Sequence, residues 1–441
     1  MRVDGVKAKE TKHLNMTTLF ETLAPLPVRL EHTQCMLHKD EILICGGYGE
    51  KDQYKFICSY PKNIWLDGHC VVRRVNNNRN ETILLSFGGR HKHTLTMQYV
   101  SVWDDDDNKN KDKAKSGSTK VYNQWIPFTD NDNKPIALDR DEKGYFGTRA
   151  VIGGSRNHLL FITYYPYFID VFDFDKLEFV KFGVLPTDNT KIRYHCFVAR
   201  TGNALSTAEK INKVYEMILF CESAGLSIKY DEEKNTFQIR NFPVCTPIRP
   251  FHSYGYAYID DFILLFGGSA YCLRDISNEI YKHAITEVKW MKYEQTLPTV
   301  LADCTAILDA DKTYLHIFSG LDDRTFTTNT HRRINVNGWI KAETEIEKQW
   351  TAEEEEKIEI ADIKIIVEGA KEDFDIKKLK VKIESFRKKD IEIVVDYWVR
   401  SVSLKLGWIN DFNILISYKV NYNPEKIFQE IEGPSTIFHL C

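Results

Sequence analysis

An apolar run that ends in two glycines recurs along this chain, and a repeat of that kind constrains the fold more than any single motif can. "EILICGG" (41–47) returns as "ILLSFGG" (83–89), "FILLFGG" (262–268) and "YLHIFSG" (314–320). Two weaker copies, "LLFITYY" (159–165) and "MILFCES" (217–223), keep the apolar run and lose the glycines. Six units result, with ends 42, 76, 58, 45 and 52 residues apart. The long interval contains "DDDDNKNKDKAKSGSTK" (104–120), which cannot bury an apolar face and reads as a disordered insertion in the second unit.

A common tail follows the run. "IDVFDFDKLEFVKFGVLP" (169–186), "LSIKYDEEKNTFQIRNFP" (226–243) and "YKHAITEVKWMKYEQTLP" (281–298) each read as a strand, a strand and a proline, with a turn between the strands. The links DFDK and DEEK supply turn residues between partly alternating β-rich segments, as a hairpin requires. Four antiparallel strands per unit are expected.

These features resemble the kelch-repeat family over residues 17 to about 342. The resemblance rests on the diglycine after the second strand, on Trp125 and Trp290 in fourth strands, and on first-strand lead-ins such as "RLEH" (29–32), "RYH" (193–195) and "RPFH" (249–252). It is nearest to kelch-motif proteins predicted in foraminifera, to which no biochemical role attaches. The resemblance implies an all-β fold, a six-bladed kelch-type β-propeller with blades at about 28–66, 67–146, 147–191, 192–248, 249–299 and 300–343. A single sheet cannot bury both faces alone, whereas a closed ring of sheets buries each against its neighbours. Gly46, Gly47, Gly88, Gly89, Gly267 and Gly268 are then structural turns, supplying positive φ where second strands end.

Two departures are visible. Only residues 48 to 53 separate the first diglycine from "YKFICSY" (54–60), so the first blade is expected to be shortened, three-stranded or distorted. Units three and four lack the diglycine and must turn differently. Closure of the ring has two candidates: "FETLAPLP" (20–27), which resembles the fourth-strand tail but precedes the first unit, and "WIKAE" (339–343) at the end of the last. The former would pair the chain ends and remove an open edge.

Residues 1–16 read as a disordered leader and 344–441 as a mainly α-helical C-terminal extension, with Ile376, Leu379, Ile383 and Phe386, then Ile391, Val394, Trp398, Val402, Leu406 and Ile409, at helical spacing. "LKVKIES" (379–385) also alternates like a strand. A net charge of −4 favours neither nucleic acid nor an anionic membrane as partner. No apolar h-region occurs in the first fifteen residues, and no stretch approaches the ~18 apolar residues of a membrane span, so a cytoplasmic protein is expected. Ten cysteines without a C-x-x-C pair, mostly within strand-like runs, predict buried thiols rather than zinc ligands or obligatory disulfides.

Little in the sequence points to catalysis. "GGYG" (46–49) has neither phosphate-loop spacing nor a following helix, which leaves a blade turn. His32, His69, His195 and His252 recur near first strands, where packing is the simpler account than a metal ring. Asp104 to Asp107 lack the glycine-turned loop of a calcium site. No cofactor and no metal are expected. In a sheet wound this way, the second-to-third-strand links and the lead-ins to first strands emerge on one face. Tyr48, Arg90, His91, Tyr271, Arg274 and Arg324 would gather there, beside Lys92 and His93. Arginine and tyrosine are enriched where binding energy concentrates. The expected function is a non-catalytic scaffold that binds a protein or peptide through these loops, with the C-terminal helices open to self-association. The rival reading is an enzyme with its site in the central channel, as in kelch-type copper radical oxidases. Binding to the cytoskeleton is a third reading.

Overall fold

The computed structural model describes residues 19–46, 59–62, 64, 66–76, 81–101, 122–139, 144–200, 214–270, 275–339 and 343–369. The chain divides into two compact units, 1–351 and 352–441. The first is an all-β propeller. Five of its sheets are four-stranded, with every neighbouring pair of strands antiparallel. Their first strands are His69–Asn76, Arg149–Gly153, Cys196–Arg200, Gly255–Ile259 and Thr305–Leu308. Each of these packs against the next, and the strand Gln34–His38 packs against both His69–Asn76 and Thr305–Leu308, which closes a ring.

The repeated apolar run is the second strand of each sheet. Leu159–Tyr164 is buried at every residue, because blades on either side cover both faces of a middle strand. Fourth strands such as Glu178–Val184 and Thr236–Asn241 lie at the rim, and exposed positions recur along them. Between adjacent blades the second and third strands interdigitate: Phe161, Ile169 and Val171 share one cluster with Met217, Leu219 and Ile228. Trp290, fully buried, fixes its blade to the preceding one by donating from its indole nitrogen to the Pro243 carbonyl at 2.9 Å.

The expected six blades, the first shortened, are corrected to five four-stranded blades among the described residues. The first unit contributes only Gln34–His38 and Glu41–Cys45, paired from Gln34↔Cys45 to His38↔Glu41, and no third or fourth strand among the described residues. The few residues between the glycines and "YKFICSY" leave no length for a third strand, and residues 47–58 lie outside the described ones. The leader 1–16 and the insertion 104–120 also lie outside them.

Of the two candidate closures, the N-terminal one is present. Phe20–Thr22 is the outermost strand of the last blade, with Phe20↔Ile334, Glu21↔Arg333 and Thr22↔Arg332 in register. Leu26 extends the pairing by donating to the Asn329 carbonyl at 2.8 Å. Trp339, the first residue of "WIKAE", ends the helical turn Val336–Trp339, and residues 340–342 lie outside the described ones. The C-terminal extension is described only for the helix Glu345–Gly369, and the periodic segments 376–409 lie outside the described residues. The first turn of that helix is capped within the propeller unit, because Glu347 accepts from the Thr344 and Glu294 amides at 2.9 and 3.0 Å.

The diglycine turns use the positive φ that glycine adopts freely. Gly46, Gly88 and Gly267 have φ of 64°, 76° and 62°. In the fourth unit Glu222 takes the same left-handed region at 49°, and in the sixth Ser319 does so at 53°. The third unit instead carries a cis Tyr165–Pro166 bond. Gly267 is also the tightest of these turns, since a Cβ there would lie 2.0 Å from the Leu301 carbonyl oxygen. Gly267→Ala is therefore expected to cost more than the ~1–2 kcal/mol of a left-handed residue alone, because backbone must also move. Urea denaturation of the variant at neutral pH measures this, and an unchanged midpoint would mean that the turn has slack.

Candidate functional site

The six segments that lead into first strands share one backbone device. His32, Gly68, Gly147, Tyr194, Ser253 and Asp303 all have positive φ, between 50° and 71°. Hydrogen bonds link these turns from one sheet to the next: Gly147 N to Gly68 O at 2.9 Å, Tyr194 N to Gly147 O at 2.8 Å, Asp303 N to Ser253 O at 2.7 Å and His32 N to Asp303 O at 3.3 Å. The bend brings the chain from the rim to the axis. Glycine accepts it freely, whereas a residue as bulky as Tyr194 in that region is uncommon and marks a place where something beyond chain geometry has a claim.

The non-glycine members of this ring make one cluster. His32 Nδ1 lies 3.0 Å from the Asp303 carboxylate, both nearly enclosed. The His32 ring stacks on Tyr194 with centroids 4.3 Å apart. Burial opposes charge on His32, but the carboxylates of Asp303, Glu31 and Asp67 together raise the imidazole above its ordinary value. Burial likewise opposes charge on Asp303, and the His32 pair with a hydrogen bond from Ser253 still holds the carboxyl below its ordinary value. Both directions describe an ion pair. The Tyr194 hydroxyl is pushed well up by burial and by the carboxylates around it, so it stays protonated.

Beneath this cluster is a cavity of about 120 Å³, lined among others by His32, Gln34, Arg149, Tyr254, Tyr256 and Asp303. Arg149 is the second residue after the Gly147 bend and reaches the cavity from the third blade. Its guanidinium donates to the Thr148 carbonyl at 3.0 Å and lies 5.7 Å from the Tyr194 ring. Tyr256 is pushed up to about 12, chiefly by burial, and remains a hydrogen-bond donor.

Of the residues expected on the link face, Arg90 is in the second-to-third-strand link of its blade. It pairs with Asp67 at 3.2 Å and covers the Phe146 ring at 5.2 Å, while staying 64% exposed. His91 is exposed beside it, whereas Lys92 pairs with Asp139 and His93 is buried against Ser86 at 2.8 Å. Arg324 is in the corresponding link of the last blade, in a turn where Asp322 accepts from the Arg324 and Phe326 amides at 3.0 and 2.9 Å. Phe326 in that turn is 61% exposed. Tyr48, Tyr271, Arg274 and Gly47 lie outside the described residues, so their gathering with the others is not placed.

The four recurrent histidines do not act alike. His69 and His195 are fully buried, and His195 meets Thr163 Oγ1 at 2.6 Å. His252 is half-buried, and His32 joins the Asp303 carboxylate at the cavity. Among the described residues, no three histidine, cysteine, aspartate or glutamate side chains come together to hold a metal ion. Sequence reasoning missed Asp303, Arg149, Tyr194 and Tyr256. Asp303 and Arg149 are remote in sequence from His32; Asp303 stands, like His32, two residues before its first strand, whereas Arg149 opens its own first strand two residues after the equivalent Gly147.

No helix of the described residues is long and apolar enough to cross a membrane. No family model matches the chain, and no curated protein matches it. A solved structure titled "Structure of YjhT" is similar, at 12% identity, covering 70% of this chain and 95% of that chain, with a TM-score of 0.41. At that level no residue role transfers from one to the other.

Proposed function

We propose that this chain is a kelch-type propeller, with the two-stranded first sheet as a reduced sixth blade, that works as a non-catalytic cytoplasmic interaction scaffold. It binds a protein or peptide through the links on the face where the first-strand lead-ins also emerge. The observation that carries the reading is the last blade's link, where Phe326 and Arg324 stand exposed on a turn held by Asp322. An exposed aromatic beside an arginine, on backbone that is already ordered, supplies contact area at little entropic cost. Arg90, braced by Asp67 yet largely exposed, adds a second anchor on the links. The six-blade count is supported by the six similar turns around the axis and by the closed succession of first strands.

The test is quantitative affinity capture with the full chain against a variant carrying Arg90→Ala, Arg324→Ala and Phe326→Ala. Partners enriched by the parent chain are expected to fall by about tenfold or more, as removal of two to three anchors implies. Equal recovery by both baits would place binding elsewhere. Catalysis in the channel is a second reading, and one observation favours it: the His32–Asp303 pair lines the cavity, in the arrangement by which a carboxylate orients an imidazole as a base.

A further inference from the structure

We propose that the channel cavity is a binding site for a small monocarboxylate, held by the Arg149 guanidinium. This goes beyond a scaffold that works through its links, because the cavity and the links are different surfaces.

The argument begins with charge. Two positive groups and one negative group line the cavity: Arg149, His32 and Asp303. His32 and Asp303 compensate each other at 3.0 Å. Arg149 has no carboxylate within ion-pair distance among the described residues, and its guanidinium donates to its own neighbour's carbonyl, Thr148 at 3.0 Å. The rest of its planar donor fork is open to the cavity. Arg149 is partly buried, and an anion in the same space supplies the counter-charge that the described residues around it do not.

Three further observations narrow the anion. One uncompensated positive charge matches a monoanion and leaves a phosphate dianion with excess negative charge beside Asp303. The fork geometry of arginine suits two oxygens in a plane, as in a carboxylate. A volume of about 120 Å³ holds several water-sized groups, enough for a carboxylate with a short tail. The remaining lining fits such a tail. Thr33 and Thr305 hydroxyls satisfy each other at 3.0 Å, while Gln34 donates to the Thr33 carbonyl at 3.1 Å. Tyr254 and Tyr256 are kept protonated by burial and offer hydroxyl groups rather than charge.

The experiment uses the full chain at about pH 8, where inorganic phosphate is mainly the dianion and serves as the dianion control, with acetate, propionate, pyruvate and lactate as probes and the matching amides acetamide and lactamide as neutral controls. Ligand-detected NMR titration gives the affinity of each. At least one monocarboxylate is expected to bind saturably, with its amide about tenfold or more weaker, the effect of losing a charge-assisted hydrogen-bond pair. Arg149→Gln is expected to weaken the acid by the same factor and leave the amide unaffected. Ala306→Leu, which fills the cavity and changes no charge, is expected to abolish binding of the acid. That variant and the acid–amide comparison decide the matter even if Arg149→Gln does not fold. Absence of saturable carboxylate binding, equal binding by Arg149→Gln, or phosphate binding as tightly as the best carboxylate would each overturn the proposal. The variant lacking Arg90, Arg324 and Phe326 side chains is expected to retain carboxylate binding, which separates this site from the links.

Discussion

Acidification from neutral pH to about 4.5 is expected to destabilise the propeller strongly, well before most carboxylates protonate. Several histidines are buried in their neutral form. His69 and His283 are both depressed to about 3, chiefly by burial, and His195 lies well below its ordinary value for the same reason. His283 is sandwiched in an aromatic cluster, stacked on Phe242 at 5.1 Å and tilted against Trp290 at 4.6 Å, with no room to hydrate an imidazolium. A group whose folded pKa lies below its unfolded one is protonated first in the unfolded chain. Its stabilising contribution is complete above the unfolded value near 6.5 and is lost as pH falls toward the folded value. At pH ~4.5, His69 and His283 each cost roughly 2–3 kcal/mol, a large share of the ~5–15 kcal/mol that holds an ordinary domain together.

The His32–Asp303 pair works in the opposite sense over part of this range. Because His32 is raised, its contribution is complete below the unfolded value and disappears only as pH rises through the folded one. One such pair cannot offset several buried neutral rings. Urea denaturation at a series of pH values between 7 and 4.5 measures the slope, and His283→Phe, which cannot protonate, is expected to flatten it. A free energy of unfolding that stays level across this range would refute the assignment of these rings as neutral and buried.

Removal of residues 1–27 is expected to destabilise the last blade and to make the protein self-associate. The strand Phe20–Thr22 supplies that blade's outer edge, and Phe20 packs into the cluster that contains Ile334, Leu315 and Met291. Phe20→Ala alone leaves a cavity, with an expected cost of about 3–5 kcal/mol. Deletion adds the lost ladder and uncovers the unpaired edge of His331–Asn335, a template for pairing with another chain. The paired charges Glu21 and Arg333, with oxygen to nitrogen distances of 2.7 and 3.1 Å, lie at the surface where water screens them, so Glu21→Ala is expected to leave stability nearly unchanged. Size-exclusion chromatography with urea denaturation separates these outcomes. A truncated chain that remains monomeric and as stable as the parent would mean that another segment closes the ring.

The fold was legible because burial on both faces of a middle strand leaves an unmistakable apolar run, and because each run stops at a backbone turn that glycine makes easy. The same reasoning anticipated a defect in the first unit from the shortness of the linker. A three-stranded or distorted blade was expected there, and two of its strands are described. Units three and four show why the glycine pattern was incomplete: Glu222 adopts the left-handed region without glycine, and the Tyr165–Pro166 turn is cis. The candidate site was much less legible. His32 was visible as a recurrent histidine, but nothing local distinguishes it from His69 or His195, which are ordinary buried rings. What separates them is Asp303, 271 positions further along the chain and delivered by ring closure.

The sequence by itself determined the repeating strand order, the turn chemistry and the choice of N-terminal segment as a possible closing strand, because these depend on periodicity and on residues near one another in the chain. Only the tertiary structure decided that His32 meets Asp303, that Tyr194 stacks over the pair and that Arg149 faces the cavity without a counter-charge. Those relations depend on which blades meet across the axis. A closed ring brings the first unit beside the last, and no local pattern records what such distant residues become to each other once the ring is shut.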